Sequence, residues 1–266
     1  MIRNKTLYIL ITFIFFLAAC NSQDMKPKEK EQQAPTSGTI REEVKKYPDS
    51  LLLVHNLIEV YRNEGEYDSA LSVTDRQILK DSGNAFLWNI KATLYFETKD
   101  TANAIKSLMK AIDIYPLPEY LVALGTIFAT TKNSNALLIS NELLAFNRSK
   151  SADDAYFIKG LYYNFTNEPK KAIIFLDSCL NLNYTYMYAY LEKGIALYQL
   201  KKYDEAVLVL QRAVTLQNNY EEGYFWLGKC YEKLNQKENA IQSYKNALLF
   251  DKDFSEAKRA LEKLQK

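Results

Sequence analysis

Apolar positions along this chain form short stripes at helical spacing, and the stripes recur every 34 residues. Small residues mark the period best: Gly160, Gly194 and Gly228 lie 34 apart, as do Ala70 and Ala104, and later Ala172, Ala206 and Ala240. A fixed period of this length marks one supersecondary unit copied along a solenoid, each copy touching only its neighbours. The pattern predicts an all-α chain whose helix-turn-helix units begin at Leu51, Asn84–Ala85, Glu119, Asp153, Met187 and Glu221. After them, Ser255 is placed to cap a helix with Ala257, Leu261 and Leu264 on one apolar stripe. Before them, Ile40, Val44 and Tyr47 make a short stripe that ends at Pro48 and reads as the trailing half of a degenerate unit.

Within each unit the residues resemble the tetratricopeptide repeat. The sixth copy carries Tyr224, Leu227, Gly228 and Tyr231 on its first helix, then Ala240, Tyr244 and Ala247 on its second. The second copy carries Trp88, Tyr95, Ala104, Ala111 and Pro116, and the fifth carries Tyr190, Gly194, Ala206 and Ala213. Small Gly and Ala residues let paired helices approach closely, and aromatics fill the space between copies. The resemblance covers residues 51–254 and implies a right-handed superhelix of six repeats (an α-solenoid), with residues 39–50 as a half-repeat cap and 255–266 as a capping helix. Two departures stand out. Gly125 and Ala136 of the third copy fall out of register by one or two residues, which predicts an irregular turn. In the first copy Ile58 replaces the usual Gly and Gln77 a usual Ala, which predicts looser packing.

The first residues read as an address. Arg3 and Lys5 precede an apolar run from Leu7 to Leu17 that stops in Leu17-Ala18-Ala19-Cys20, too short to span a membrane. This resembles the lipoprotein processing box of bacteria; an ordinary signal peptide with an incidental cysteine is the competing reading. The resemblance implies removal of residues 1–19 and a Cys20 that carries acyl chains, including a palmitate-type chain, as a stable membrane anchor. Asn21 stands where an Asp would resemble an inner-membrane retention signal, which points to the outer membrane of a bacterial envelope. Residues 20–38 are polar and Pro-containing with no apolar period, and read as a tether.

Charge and chemistry narrow the function. A net charge of +2 leaves no electrostatic footprint for nucleic acid. Cys179 and Cys230 take small-residue positions and read as buried hydrophobes too far apart to bridge. One histidine, His55, and no Gly-rich phosphate loop, nucleophile elbow or metal-ligand spacing argue against an enzyme, and no cofactor or metal is implied. Function should therefore lie in the concave groove, which in the family is lined by the second, fifth, ninth and twelfth residues of each first helix. Carried over, these are Leu52, His55, Glu59 and Arg62, then Phe86, Asn89, Thr93 and Phe96. The fourth copy contributes Asp154, Phe157, Leu161 and Asn164, and the fifth Tyr188, Leu191, Ile195 and Tyr198. The sixth contributes Glu222, Phe225, Lys229 and Glu232.

The groove so composed is apolar and aromatic in its middle, and lacks the Lys and Asn clamp by which relatives grip chaperone tails. It could seat a protein or peptide partner, or Phe157, Leu161, Leu191 and Ile195 could pack against their neighbours. In the run Tyr184, Tyr186, Tyr188 and Tyr190 the last belongs to the packing pattern and the others are candidates for exposure. The expected function is a lipid-anchored envelope scaffold that assembles or regulates an envelope complex, similar in plan to pilotin-type lipoproteins and hydrolase adaptors. A surface module for peptides or glycans is the alternative, and a homo-oligomer is compatible with either.

Overall fold

A computed structural model describes residues 37–146 and 148–265, so Cys20, the leader and most of the tether lie outside the described residues. Among the described residues there is no strand. The helices are α1 (Ser37–Lys46), α2 (Leu51–Asn63), α3 (Tyr67–Lys80), α4 (Ala85–Glu97), α5 (Thr101–Ile114), α6 (Pro118–Thr130) and α7 (Asn135–Phe146). They continue as α8 (Arg148–Phe165), α9 (Pro169–Leu182), α10 (Met187–Gln199), α11 (Tyr203–Leu216), α12 (Glu221–Lys233), α13 (Lys237–Phe250) and α14 (Ser255–Gln265). Two compact units make up the chain, one ending at Tyr120 and one starting at Leu121.

One turn builds every helix pair. The first helix of each pair ends on a residue in the left-handed region: Gly65, Lys99, Lys132, Asn167, Lys201 or Asn235, with φ between 58° and 77°. The following N–H donates back to the carbonyl five residues earlier, as from Glu66 to Tyr61 at 2.8 Å and from Lys202 to Leu197 at 3.0 Å. This closes the orphan carbonyls of the helix end and reverses the chain within two or three residues. In the third pair the same bond closes the turn, from Asn133 to Phe128 at 2.8 Å, and the irregularity that Gly125 and Ala136 predict is a one-residue shift in its register relative to the start of α7. Lys132 follows Lys99 by 33 residues and precedes Asn167 by 35. The shift puts Gly125 at the eighth residue of α6, the place that Gly194 and Gly228 take in α10 and α12, while Gly160 is the thirteenth residue of the longer α8.

In the first unit, α1 packs on α2, and α2 to α5 follow one another in pairs. Its core joins Ile40, Val54, Leu57, Ile58, Tyr61, Ala70 and Val73 to Leu87, Ile90 and Leu94. Ile58 and Thr74, at equivalent depths of α2 and α3, are both 0% exposed, yet α2 and α3 lie against each other less closely than the helices of the second, fourth, fifth and sixth pairs, as Ile at the usual Gly position predicts. Lys91 on α4 reaches back to Asp75 on α3 at 2.6 Å.

In the second unit, α8 to α14 pack in succession, and the first helices α8, α10 and α12 also touch one another. Here Gly160, Gly194 and Gly228 stand where α2 has Ile58, and the neighbour fills the space each leaves. A Cβ on Gly160 would stand 2.6 Å from Leu176, one on Gly194 2.5 Å from Leu210, and one on Gly228 2.5 Å from Tyr244. The lysine bridge recurs as Lys193 on α10 to Asp177 on α9 at 2.5 Å. Phe254 and Ala257 are buried at the start of α14, which rests on α13.

Candidate functional site

Each unit has its own inward face, and the faces differ in chemistry. In the first, Arg62 at the end of α2 extends over the end of α4. Its Nε donates to both oxygens of Glu97 at 2.8 and 2.7 Å, a second guanidinium nitrogen also meets Glu97, and Nη1 reaches Glu59 at 3.0 Å. Burial opposes the Arg62 charge, but the Glu97 and Glu59 carboxylates outweigh it and hold its pKa above the ordinary arginine value. His55 stacks on Phe86 with ring centroids 5.5 Å apart, and Phe86 remains 37% exposed. Asn89 and Phe96 are half-buried beside them on α4, and Leu52 is exposed.

In the second unit the apolar residues assigned to the groove are core. Phe157, Leu161, Leu191, Ile195 and Phe225 are all buried to 3% exposure or less. Phe157 stacks on Tyr186 at 5.0 Å, and Phe225 packs on Phe254 at 4.9 Å and Tyr244 at 5.9 Å. The cause is the contact between successive first helices: the next repeat covers the middle of each inward face. Buried polar groups tie those helices together. Asn164 Nδ2 on α8 donates to the backbone carbonyl of Glu192 and to its Oε2, both at 2.8 Å. Tyr186 Oη donates to Asp154 at 2.8 Å, which takes Tyr186 out of the candidate exposed run and leaves Tyr184 as its exposed member.

Tyr188, Tyr198 and Lys229 stay half-buried and so reach solvent. The last two belong to one cluster. Lys229 Nζ stands 4.5 Å from the Trp226 ring centroid, 5.2 Å from Tyr198 and 5.6 Å from Phe225. Among the described residues Lys229 makes no ion pair. Burial lowers its pKa, against the opposing pull of Glu232, whose carboxylate accepts from Tyr244 Oη. Burial also raises the Tyr198 pKa to about 12. Ring faces therefore stabilise the ammonium at close range, beside the attraction of Glu232.

Three members of these clusters lie outside the four family positions: Glu97, Glu192 and Trp226. Glu97 had a readable signal. A carboxylate at the C-terminal end of a helix opposes the helix dipole and needs a cation nearby. Trp226 and Glu192 carry no such mark. Cys179 and Cys230 are buried and free, and burial raises both thiol pKa values, that of Cys230 to about 12. Among the described residues, no group of three or more His, Cys, Asp or Glu side chains could hold a metal ion. No described helix is long and apolar enough to cross a membrane.

Comparison with known proteins agrees with this geometry. A tetratricopeptide repeat family model matches residues 87–116, 153–186 and 221–254, and a TPR repeat model matches residues 194–235. The fold resembles a crystal structure of a tetratricopeptide repeat protein from Parabacteroides merdae, with a TM-score of 0.73 at 18% identity over 86% of this chain and 91% of that one. It also resembles a thermophilic TPR protein of Thermus thermophilus, with a TM-score of 0.59 at 16% identity over 68% of this chain and 98% of that one. A TPR repeat-containing protein of Methanocaldococcus jannaschii is 28% identical over 102 residues, which span 38% of this chain and 32% of that protein. By fold, this chain is an all-helical solenoid of the tetratricopeptide repeat kind, and four of its segments match tetratricopeptide repeat models.

Proposed function

We propose that this protein is a lipid-anchored scaffold of the bacterial cell envelope. It takes a protein or peptide partner on the inward face of its repeats and serves the assembly or regulation of an envelope complex. Tetratricopeptide repeats as a class mediate protein–protein interactions, and their fold is typically non-enzymatic. The observation that carries the reading is the cluster on the first helices of the second unit in which half-buried Tyr198 and Lys229 meet the buried Trp226 ring. Aromatic side chains and a partly desolvated cation are the kinds of group that anchor partners. The anchor rests on the Leu17-Ala18-Ala19-Cys20 box, which leads into a polar tether.

Two experiments test this. A photo-crosslinking residue placed at Tyr188 or Tyr198 in cells should capture one protein, and the same probe at the outward-facing Leu138 should not. Adducts to no protein, or equally to many from both sites, would remove the partner-binding reading. Cys20→Ser should abolish incorporation of labelled palmitate and release the protein from the membrane fraction. Undiminished labelling would remove the anchor and leave the partner reading standing.

A further inference from the structure

On the face opposite their buried stripes, α9 and α11 present one repeat position to solvent. Ile174 and Leu208 are each the sixth residue of their helix, lie 34 apart, and are 61% and 69% exposed. Both helices pack against α10, so the two side chains stand on neighbouring ridges of one surface. One turn earlier the same two positions read Lys170 and Lys171 in α9 but Asp204 and Glu205 in α11, all four exposed. Three and four residues before the apolar side chain, they share its face of the helix. Lys171 pairs with Glu168 at 2.6 Å and Glu205 with Lys202 at 2.9 Å, exposed contacts that contribute little. Among the described residues Lys170 and Asp204 make no ion pair.

We infer that this surface binds a second copy of the same chain, about a two-fold axis parallel to α9 and α11. Such an axis lays α9 of one copy over α11 of the other with their N-termini at the same end. Ile174 then meets the partner's Leu208, and Lys170 and Lys171 meet the partner's Asp204 and Glu205. Each contact occurs twice, as an isologous interface requires. An axis across the helices would set N-termini against C-termini and leave the four charges without opposite numbers. The complementary charges therefore select the first arrangement. Each 14-residue helix is about 21 Å long. Two of them from each copy make a contact at the small end of specific interfaces, so the dimer dissociates on dilution. Tyr198 and Lys229, on the first helices, stay uncovered, which makes the pairing independent of the partner proposed above.

Cysteine pairs read this geometry directly. The full chain carrying both Ile174→Cys and Leu208→Cys is treated with a short bismaleimide, against an unsubstituted chain that retains Cys20 as background. Cys179 and Cys230 are buried and contribute little. A product of twice the chain mass is expected from the double variant and not from either single variant, because Ile174 does not meet its own counterpart. Adding Lys170→Glu with Lys171→Glu should cut the yield more than about tenfold through like-charge contact. Adding Asp204→Lys with Glu205→Lys to that chain should restore it. The exchanged residues are exposed, so unfolding midpoints should stay unchanged, and circular dichroism checks this. Background-level linking in the double variant, equal linking in a single variant, or a yield indifferent to charge reversal would overturn the inference.

Discussion

Position for position, α2 of the first unit sets His55, Glu59 and Arg62 where α10 of the second sets Leu191, Ile195 and Tyr198. The first face is closed by charge, with Arg62 forked onto Glu97 and braced by Glu59. The second is closed by packing, with Leu191 and Ile195 buried and a lysine left over aromatic rings. A buried cation needs a carboxylate opposite, whereas a half-buried one can rest on ring faces. The first unit thus holds its cation between carboxylates, and the second holds its own over aromatic rings. A second contrast runs through the cores. Where the first helix faces the second, α2 has Ile58 at the depth of Thr74, while α8, α10 and α12 have Gly160, Gly194 and Gly228 opposite Leu176, Leu210 and Tyr244. The volume between the two helices is filled from the first helix, by Ile58, in the first pair and from the second helix in the other three.

The largest effects should come from that volume. Ile58→Ala empties a site closed on all sides and should cost about 2–5 kcal/mol in denaturant unfolding. A loss below about 1 kcal/mol would mean that the wider spacing of α2 and α3 lets the site collapse around the smaller side chain. Next comes the ionic closure. Glu97→Ala leaves Arg62 with Glu59 alone and should cost about 3 kcal/mol, whereas Lys229→Met in the second unit should cost less than about 1.5 kcal/mol. Equal losses at the two sites would erase the distinction between the faces.

Gly194→Ala reverses the first experiment by adding volume. Its Cβ would meet the branch of Leu210, not a mobile tip, and should cost about 1–3 kcal/mol even though Ala favours a helix. Pairing it with Leu210→Ala should relieve the clash, and a double-mutant cycle with no coupling would deny that the two residues share a volume. The smallest effect concerns the turns. Lys201 sits at φ 62° where the first unit has Gly65 at φ 77°. Lys201→Gly should raise stability by about 0.5 kcal/mol, since the left-handed strain removed exceeds the entropy added, and Gly65→Lys should lower it by a similar amount. Thermal unfolding of the two variants, compared at matched pH, checks the sign.

Much of the architecture was open to a reader of the sequence. Gly160, Gly194 and Gly228 announced close helix pairs, and each does face a bulky neighbour. The irregular third copy was visible as Gly125 and Ala136 out of step. Less of the site was legible. For Phe157, Leu161 and Leu191 the sequence left groove and packing both open and gave Phe225 to the groove with Tyr188 and Tyr198, yet the first four are buried and the last two reach solvent. Tyr186 looked free to bind, and its hydroxyl is held by Asp154, 32 residues earlier.

The sequence by itself determined the period, the helix pairs and the small residues that let them close, because these depend on contacts inside one repeat. It also showed the opposite charges that precede Ile174 and Leu208. Only the tertiary structure decided which inward side chains are core and which are surface. Burial on that face depends on a helix from the next repeat, 34 residues along the chain, whose approach is set by packing and not by any local pattern. The same holds for Arg62 with Glu97 and for Lys229 among its rings: each charge is settled by a neighbour that the one-dimensional order does not place beside it.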